Sequence, residues 1–341
     1  MTKPTKRRRG PSLAEVAELA GVSISTVSKV ANNSPDVAEQ TRTKVAGILS
    51  EQRYVAPRQR RAGGPRIGLL VRSMRLPNTI EPLRGAMERA AVAGMPLEVL
   101  LYRPRPGWID DLQAHGIRGL VAISSVLDAE EREQLAEAGI ALVVVNPLGP
   151  PHVGHHSVGA TDWAGGYAAA DHLLGLGHRR FGVLRGDDRS MVSQSRASGN
   201  LAALTAADIE PESIMTEPGD FTFEAGLDAA LRLLARPDRP TAICAASDFQ
   251  ALGVIEAARQ LGLRVPDDVS AVGFDDLVLA SMSSPPLTTV RQPLDQLGAV
   301  AVGMLTDLIA GVEPESHHLE LATSLVVRSS TAAPSKVRKR I

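Results

Sequence analysis

The sequence predicts a small all-α module at the N-terminus, followed by a much larger α/β body built on parallel sheets. Residues 12–31 carry two short helical patterns of apolar residues that are separated by a glycine. From Ile67 onward, short apolar runs of strand length alternate with longer helical patterns, which is typical of parallel sheets covered on both faces. At 341 residues, the chain is long enough for two or three domains.

The first helical pattern places four apolar residues on one face, at positions i, i+3, i+4 and i+7: Leu13, Val16, Ala17 and Ala20. Gly21 supplies the backbone freedom that ends this helix, and Ser23 suits the N-cap of the next one. The second helix has an apolar face that would pack on the first: Val27, Val30 and Ala31. Two helices joined by a tight glycine turn predict a helix-turn-helix.

The outward face of the second helix carries hydroxyls, an aliphatic side chain and a lysine. Hydroxyls bond phosphates or base edges, Ile24 can contact a thymine methyl, and Lys29 can reach guanine acceptors. The candidate DNA-binding residues in this module are Ser23, Ile24, Ser25, Thr26, Ser28, Lys29 and Asn32. The alternative is an ordinary helical hairpin with a solvated face.

The charge distribution favours DNA. Residues 1–66 hold 13 Lys and Arg against 5 Asp and Glu, whereas the whole chain holds 37 against 38. A basic module attached to an acidic body implies a polyanionic partner for the module alone. Residues 1–11 include Lys6-Arg7-Arg8-Arg9, and we expect this basic arm to add phosphate contacts, although such a run can also be a solvated tail.

Composition also limits the cellular context. The single cysteine, Cys244, excludes a disulfide within the chain and fits a reducing compartment. No apolar run approaches the roughly 20 residues that span a bilayer, and the basic start leads into no secretory h-region. We therefore expect a soluble, cytoplasmic protein.

A third helix would close the small module, with Val45, Ile48 and Leu49 on its inner face. This gives a helix-turn-helix domain over residues 12–56. Residues 57–66 are rich in Arg, Gly and Pro and are typical of a linker.

The motif Ala17-x-x-Ala20-Gly21-Val22-Ser23-x-Ser25-Thr26-Val27-Ser28 resembles the DNA-binding headpiece of the LacI/GalR family of bacterial transcription regulators. Passages of the body resemble the same family: Gly177-His178-Arg179-Arg180, Arg264 to Ser270, Val272 to Asp276 and Pro286 to Val290. The resemblance covers nearly the whole chain. It implies a homodimeric regulator, usually a repressor, whose two-lobed periplasmic-binding-protein-like body binds a small effector between α/β lobes joined by three crossings.

The resemblance also implies domain boundaries. The effector-binding and dimerisation domain would span residues 67–330, and a basic tail would follow at 331–341. Lobe one would comprise residues 67–161 and 291–318, and lobe two residues 162–290 and 319–330.

The linker departs from the family pattern, because the Asn and Leu of the usual hinge helix are absent from residues 57–66. That Leu wedges into the minor groove in relatives. Arg58 and Arg60 are therefore candidates for minor-groove or phosphate contacts in its place.

Ligands of open α/β sheets bind at the carboxyl ends of the strands, and several polar residues follow predicted strands directly. By resemblance, Arg196, Phe221, Ser247, Asp275 and Gln292 are candidate effector-binding residues, and Ser73, in the stretch after the first predicted strand, is a further candidate. Ser73 stands in a stretch where relatives carry an Asp and an aromatic residue, so one wall of the pocket is altered. We expect Asp248 to cap a helix, Asp276 to be structural, and Trp163 and Phe249 to be packing residues.

The leading hypothesis is a sequence-specific regulator that reads a pseudo-palindromic operator and responds to a sugar or related metabolite. A regulator that has lost its effector response and a transporter solute-binding protein are the alternatives. No nucleophile elbow, HExxH motif, P-loop or dinucleotide fingerprint is present, so we predict neither an enzyme nor a cofactor. The loop with His152, His155 and His156 lacks a recognised ligand spacing, so we predict no metal.

Overall fold

The computed structural model describes residues 13–31, 37–51, 64–73, 77–124, 127–149 and 155–335. The basic arm, Asn32, Arg58 and Arg60 lie outside these residues, as does most of the linker. The chain divides into two compact units. The first comprises residues 1–66 with 106–117, and the second comprises residues 67–105 with 118–341. No helix among the described residues is long and apolar enough to cross a membrane.

The N-terminal module contains the three predicted helices: α1 (Leu13–Ala20), α2 (Ile24–Ala31) and α3 (Glu39–Glu51). Gly21 adopts the left-handed φ of 65° that ends α1, as expected for a residue without a Cβ. The three helices share one apolar cluster: Val16, Ala17, Ala20, Val27, Val30 and Val45, with Ile48 and Leu49 packed against it. The helix-turn-helix prediction is therefore confirmed in its geometry.

The body contains two six-stranded sheets. The elements of lobe one are β1 (Arg66–Val71), α4 (Pro77–Val92), β2 (Leu97–Leu101), β3 (Ile117–Ile123), α6 (Ala129–Glu137), β4 (Ala141–Val145), β5 (His156–Ala160), α12 (Leu294–Ile309) and β11 (His318–Leu321). The helix α5 (Trp108–Ala114), between β2 and β3 in the sequence, belongs to the first compact unit. Its strand order is β11-β5-β4-β3-β1-β2.

Lobe two has the strand order β12-β10-β9-β8-β6-β7. Its elements are α7 (Asp162–Gly175), β6 (Phe181–Leu184), α8 (Met191–Ala206), a 3₁₀ turn (Pro211–Ser213), β7 (Ile214–Glu217), α9 (Phe223–Leu234), β8 (Ala242–Ala245), α10 (Asp248–Gln260), β9 (Ser270–Asp275), α11 (Val278–Met282), β10 (Thr288–Arg291) and β12 (Ser324–Val326). Neighbouring strands in the series β7, β6, β8, β9 and β10 pair in parallel, whereas β12 pairs antiparallel with β10.

The third crossing between the lobes corrects the predicted boundary. We expected residues 319–330 to belong to lobe two, with the apolar run from Leu319 to Val327 as its last strand, but His318–Leu321 pairs parallel with β5 of lobe one. The chain then crosses and continues as β12 in lobe two, where Val326 pairs with Thr289. The single apolar run is thus divided between two sheets, because Thr323 bonds Thr161 at the crossing and ends the first strand there.

The start of the predicted tail also belongs to the body. The hydroxyl of Thr331 lies 3.0 Å from Nε2 of His172, and the carbonyl of Ala332 accepts from the Ser270 hydroxyl at 3.1 Å. Ser335 donates its hydroxyl hydrogen to the Asp267 carbonyl at 2.6 Å. Residues 331–335 therefore extend lobe two, and only the residues after Ser335 lie outside the described part of the tail.

Candidate functional site

The exposed side of α2 is the first candidate surface. Ser23 precedes the helix and accepts a hydrogen bond from the backbone N–H of Thr26 at 3.2 Å, as an N-cap does. Its hydroxyl also lies 2.8 Å from the hydroxyls of Ser25 and Thr26. Ile24 is 53% exposed, and Lys29 is exposed as well. An aliphatic side chain, hydroxyls and an ammonium group thus share one accessible helix face.

The remaining predicted DNA contacts are not located by the structure. The side chain of Ser28 is not described, and Asn32, Arg58 and Arg60 lie outside the described residues. Whether the linker forms a hinge helix therefore stays open, and the DNA-binding role of all these residues stays a prediction.

The second candidate site is a cavity of about 330 Å³ between the two lobes, hereafter the interlobe cavity. It is lined by all six residues predicted to bind an effector: Ser73, Arg196, Phe221, Ser247, Asp275 and Gln292. Its volume falls at the small end of the range for ligand sites. The carboxyl ends of β1, β8 and β9 bring Ser73, Ser247 and Asp275 to it, as expected for parallel sheets.

Arg196 is the centre of the buried polar network on the lobe-two side. Its Nε donates to Asp162 at 2.8 Å, and its Nη1 lies 2.6 Å from the Ala246 carbonyl and 3.2 Å from Asp275. The guanidinium also lies over the Phe274 ring, 3.8 Å from its centroid. Gln292 donates its amide hydrogen to Asp275, which completes the group. These contacts fix the orientation of the arginine before any ligand arrives.

The sequence allows this contact because α7 and α8 cross closely. A Cβ at Gly166 would overlap the Arg196 carbonyl, and one at Gly199 would overlap the Trp163 carbonyl. The two glycines therefore let the helix backbones approach, which brings Asp162 at the start of α7 beside Arg196 on α8. Sequence reasoning missed Asp162. The glycines and the acidic residue at a helix start were the only signals for it.

Burial has the largest influence on the pKa of each charged residue in this network: Asp162, Arg196 and Asp275. It raises the pKa of Asp275 to about 6, although Arg196 and the Gln292 amide both act in the opposite direction. Burial likewise raises the pKa of Asp162, again opposed by Arg196. For Arg196, burial lowers the pKa, but Asp162 and Asp275 outweigh it and the pKa lies above its ordinary value. The arginine thus remains charged between carboxylates that hold their protons more tightly than usual.

Phe221 forms an apolar plate beside the arginine. Its backbone has a left-handed φ of 70°, and the Ser247 hydroxyl donates to its carbonyl at 2.8 Å. A Cβ at Gly186 would overlap the Phe221 ring, so the ring rests directly on that glycine. The Ser247 oxygen also accepts from the Gln250 N–H at 3.2 Å and caps α10. Ser247 therefore holds Phe221 and α10 together at the cavity wall.

The lobe-one wall has a different character. Five polar residues line it: Arg72, Ser73, Thr79, Ser124 and Asn146. Arg72 is exposed, and Ser73 and Ser124 are half-buried. The amide oxygen of Gln292 and that of Asn146 are buried at the cavity and have no hydrogen-bond partner among the described residues. The Gln292 oxygen is available to an effector that carries hydrogen-bond donors, whereas the Asn146 oxygen faces Gly159, which does not line the interlobe cavity.

The structure corrects the expected role of Asp248. Ser247 caps α10, whereas the Asp248 carboxylate accepts from the Leu277 N–H at 2.7 Å and from the Thr289 hydroxyl. Burial, followed by the nearby Asp275, raises the pKa of Asp248 well above its usual range. Asp276 is structural as expected, since it pairs with Arg291 and Arg328 at 2.6 Å each.

The two aromatic residues expected to pack do so only in part. Phe249 packs against the lobe-one core but also lines the interlobe cavity. Trp163 stacks on Tyr167 with 5.4 Å between ring centroids, yet remains 50% exposed.

The histidine loop and the cysteine are two further features singled out by the sequence, and His152 of that loop lies outside the described residues. No group of three or more potential metal ligands occurs among the described residues. His156 instead lies 3.1 Å from Nδ1 of His317. Burial raises the pKa of Cys244 to about 12, so its thiol stays protonated and unreactive.

Comparisons with known proteins agree with this geometry. A model of bacterial regulatory proteins of the lacI family matches residues 12–56, and a model of a periplasmic binding protein-like domain matches residues 170–331. Among curated proteins, the chain is 35% identical to the HTH-type transcriptional regulator MalR of Streptomyces coelicolor, over 96% of this chain and 98% of that protein. It is 32% identical to the HTH-type transcriptional repressor PurR of Photobacterium profundum, over 94% and 98% of the two chains.

Solved structures of similar proteins include complexes with ligands. A complex of the transcriptional regulator CelR with cellobiose has a TM-score of 0.71 at 32% identity, covering 94% of this chain and 99% of that one. The lac repressor dimer bound to operator and the anti-inducer ONPF has a TM-score of 0.71 at 28% identity, covering 95% and 100%.

Proposed function

The chain belongs to the LacI family of bacterial transcription regulators, and we propose that a small polar effector bound in its interlobe cavity controls its affinity for an operator. One observation carries this proposal. The six candidate effector-binding residues, five of them assigned by family resemblance, come from distant parts of the sequence, yet all line one cavity. Their convergence is what a ligand site between two lobes requires.

The chemistry of the cavity favours a ligand rich in hydroxyl groups. Carboxylate, guanidinium and amide groups can each bond neighbouring hydroxyls, and the Phe221 ring offers an apolar face to a sugar ring. The similar CelR structure holds cellobiose, and another LacI-family regulator, from Enterococcus faecium, holds ribose. A sugar or related metabolite is therefore the proposed class of effector. The altered lobe-one wall argues against simple transfer of a relative's ligand to this chain.

The proposed DNA partner is a pseudo-palindromic operator read by two copies of the headpiece. The exposed face of α2 would enter the major groove, where Ile24 and Lys29 could contact base edges and the hydroxyls could contact phosphates. The related lac repressor binds its operator as a dimer. Exposed apolar residues on α4 of this chain, Ile80, Met87 and Val92, offer a surface on which a second copy could pack.

In this mechanism, the effector binds both lobes and favours one of their relative arrangements. That arrangement changes the spacing of the two headpieces, and hence the affinity for the operator, by reciprocal linkage. Repression in the bacterial cytoplasm is the most direct use of such a protein.

Selection of genomic fragments by the purified full-length protein tests the DNA part of the proposal. A pseudo-palindrome bound far more tightly than random DNA is expected, and Lys29→Ala should weaken operator binding by about 1–3 kcal/mol and relax base preference. Lys44→Ala, at an exposed position of α3, is the matched control. If Lys29→Ala weakens binding to operator and random DNA equally, Lys29 is only a phosphate contact.

Thermal unfolding against a panel of sugars and metabolites tests the effector part. A true effector raises the melting temperature by mass action and also changes operator affinity. A protein that selects an operator but gains stability from no compound would be a regulator without effector response. Recovery of no preferred sequence would remove the main support for the regulator itself.

A further inference from the structure

A second cavity, of about 370 Å³, lies beside the interlobe cavity. The carboxyl ends of β4 and β5, the start of α7, the first turns of α8 and the edge strand β11 enclose it. It shares only Asn146 and Val192 with the interlobe cavity. The buried ion pair separates the two spaces, because Arg196 lines the first cavity and Asp162 lines the second.

Asn146 presents an unused hydrogen-bond acceptor at this second cavity. The residue is 9% exposed, and its Oδ1 has no hydrogen-bond partner among the described residues. A Cβ at Gly159 would lie 4.0 Å from this oxygen, and Gly159 lines the second cavity but not the first. The amide oxygen therefore lies on the side of the second cavity. A buried acceptor without a partner costs stability, so a ligand that donates to it would recover that loss.

The charged groups of the second cavity are also acceptors. Glu320 on β11 is exposed, and its Oε1 lies 3.7 Å from Nε2 of His318. This distance leaves the carboxylate free to accept further hydrogen bonds. Asp162 is already matched by Arg196, so the excess charge of the cavity comes from Glu320.

Trp163 supplies the apolar wall. It lines the second cavity, is half exposed, and is held by its stack on Tyr167. The face of an indole ring attracts cations and flat apolar groups. A positively charged hydrogen-bond donor can interact with all three groups at this cavity: the amide acceptor, the carboxylate and the indole face.

We propose that the second cavity, formed by Asn146, Gly159, Trp163, His318 and Glu320, is a binding site for a small organic cation that carries N–H donors, a primary ammonium compound. The ammonium group donates to Oδ1 of Asn146 and pairs with Glu320, and its carbon chain packs on Trp163. This site is separate from the proposed effector site, and its occupancy does not depend on the identity of the effector.

Titration of the full-length protein with phenethylamine tests this site, with 2-phenylethanol as the uncharged probe of nearly the same shape. Calorimetry and tryptophan fluorescence should both report saturable binding of the amine. The alcohol should bind at least about fivefold more weakly than the amine, because it loses the charge pair with Glu320.

Three variants test whether the amine binds in the second cavity. Glu320→Gln should weaken amine binding about fivefold. Gly159→Ala should weaken it at least as much, because its methyl group enters the cavity at ordinary contact distances of 3.8 Å from His318 and 4.0 Å from Asn146. Glu315→Gln, an exposed carboxylate outside both cavities, should leave binding unchanged and controls for net charge.

Several results would overturn the proposal: equal affinity for amine and alcohol, unchanged binding in both Glu320→Gln and Gly159→Ala, or a response that never saturates. Phe221→Ala alters only the interlobe cavity, so amine binding should survive it. Loss of binding in Phe221→Ala, with normal binding in Glu320→Gln, would place the amine in the interlobe cavity and also contradict the proposal. Melting curves of each variant establish that it is folded.

Discussion

The two walls of the interlobe cavity differ in how firmly their polar groups are held. On the lobe-two side, Arg196, Ser247 and Asp275 are buried and bonded to one another or to backbone carbonyls. On the lobe-one side, Arg72 is exposed and Ser73 is half-buried. A wall whose groups are fixed in advance loses little entropy when a ligand binds, whereas a more exposed wall must be ordered by the ligand.

This difference suggests that the two walls have different roles in ligand binding. The lobe-two wall would supply the part of the affinity that is common to many polar ligands, and it would also stabilise the lobe itself. The lobe-one wall would decide which ligand is accepted, since Arg72 is exposed and can be replaced without removing a buried group. Substitutions in each wall test these roles, and the largest loss of stability and ligand affinity is expected on the lobe-two side.

Arg196→Ala should have the largest effect, because it leaves Asp162 and Asp275 buried without their cation. Breaking a buried pair by removing one partner costs about 3–5 kcal/mol of stability. Urea unfolding should show this loss, and effector binding should be abolished. Arg236→Ala removes an arginine that pairs with Asp238 on the surface, where solvent screens the charges, and it should leave stability essentially unchanged.

An Arg196→Ala protein of normal stability would show that the network is not structurally important. Unchanged effector affinity in that variant would show that the assignment of the cavity is wrong. Either result would remove the contrast between the two walls.

Phe221→Ala should have the next largest effect. The variant removes the ring that rests on Gly186, and we expect effector affinity to fall about tenfold, with a loss of roughly 1–2 kcal/mol of stability. Calorimetry with the compound found in the thermal panel measures the first quantity. Gly186→Ala should reproduce the loss of affinity from the other side, because its methyl group would displace the ring. Wild-type affinity in both variants would exclude Phe221 as a contact.

The sequence predicted most of lobe two and of its site for a physical reason. Strands such as Phe181–Leu184 and Ala242–Ala245 are buried on both faces, so they are continuous apolar runs and were found with their observed bounds. The residues Arg196, Phe221 and Asp275 could be located because they follow such strands or match the family motif.

Strands with polar residues and long-range partners could not be predicted in the same way. His156–Ala160 begins with a histidine and a serine, and no apolar run marks it as a strand. His318–Leu321 overlaps the run predicted for lobe two, and its pairing with β5 of lobe one is a long-range contact that the sequence does not show. The pairing of Asp162 with Arg196 depends on a helix crossing that becomes visible only when Gly166 and Gly199 are seen to meet the opposite backbone. The role of Asp248 depends on Leu277 and Thr289, which are distant in sequence.

Arg72→Gln on the lobe-one wall should have a small effect on stability and a selective effect on ligands. Because Arg72 is exposed, the free energy of unfolding should stay within about 0.5 kcal/mol of wild type. Affinity for charged compounds in the panel should change by up to about fivefold, more than affinity for neutral ones. Arg118→Gln removes an exposed charge elsewhere in lobe one and should alter no ligand preference. A loss of stability as large as that of Arg196→Ala would contradict the proposed roles of the two walls.

A further prediction concerns protonation of the lobe-two wall. The pKa of Asp275 is raised to about 6 in the folded protein, chiefly by burial, so the folded state binds this proton more tightly than the unfolded chain. The resulting stabilisation is fully present below the unfolded pKa, near 3.8, and is lost as the pH rises through about 6. Asp275→Asn removes this titration but keeps the side-chain size.

Urea unfolding of wild type and Asp275→Asn at several pH values between about 7.5 and 5 measures this effect. The difference in unfolding free energy should shift in favour of wild type as the pH falls. The buried histidines His156, His172 and His178 have pKa values lowered chiefly by burial and therefore oppose this trend, but they are present in both proteins and largely cancel in the difference. A difference that does not vary with pH would mean that Asp275 stays ionised throughout. Arg196 and Gln292 would then outweigh burial, and the lobe-two wall would present a full negative charge to the effector.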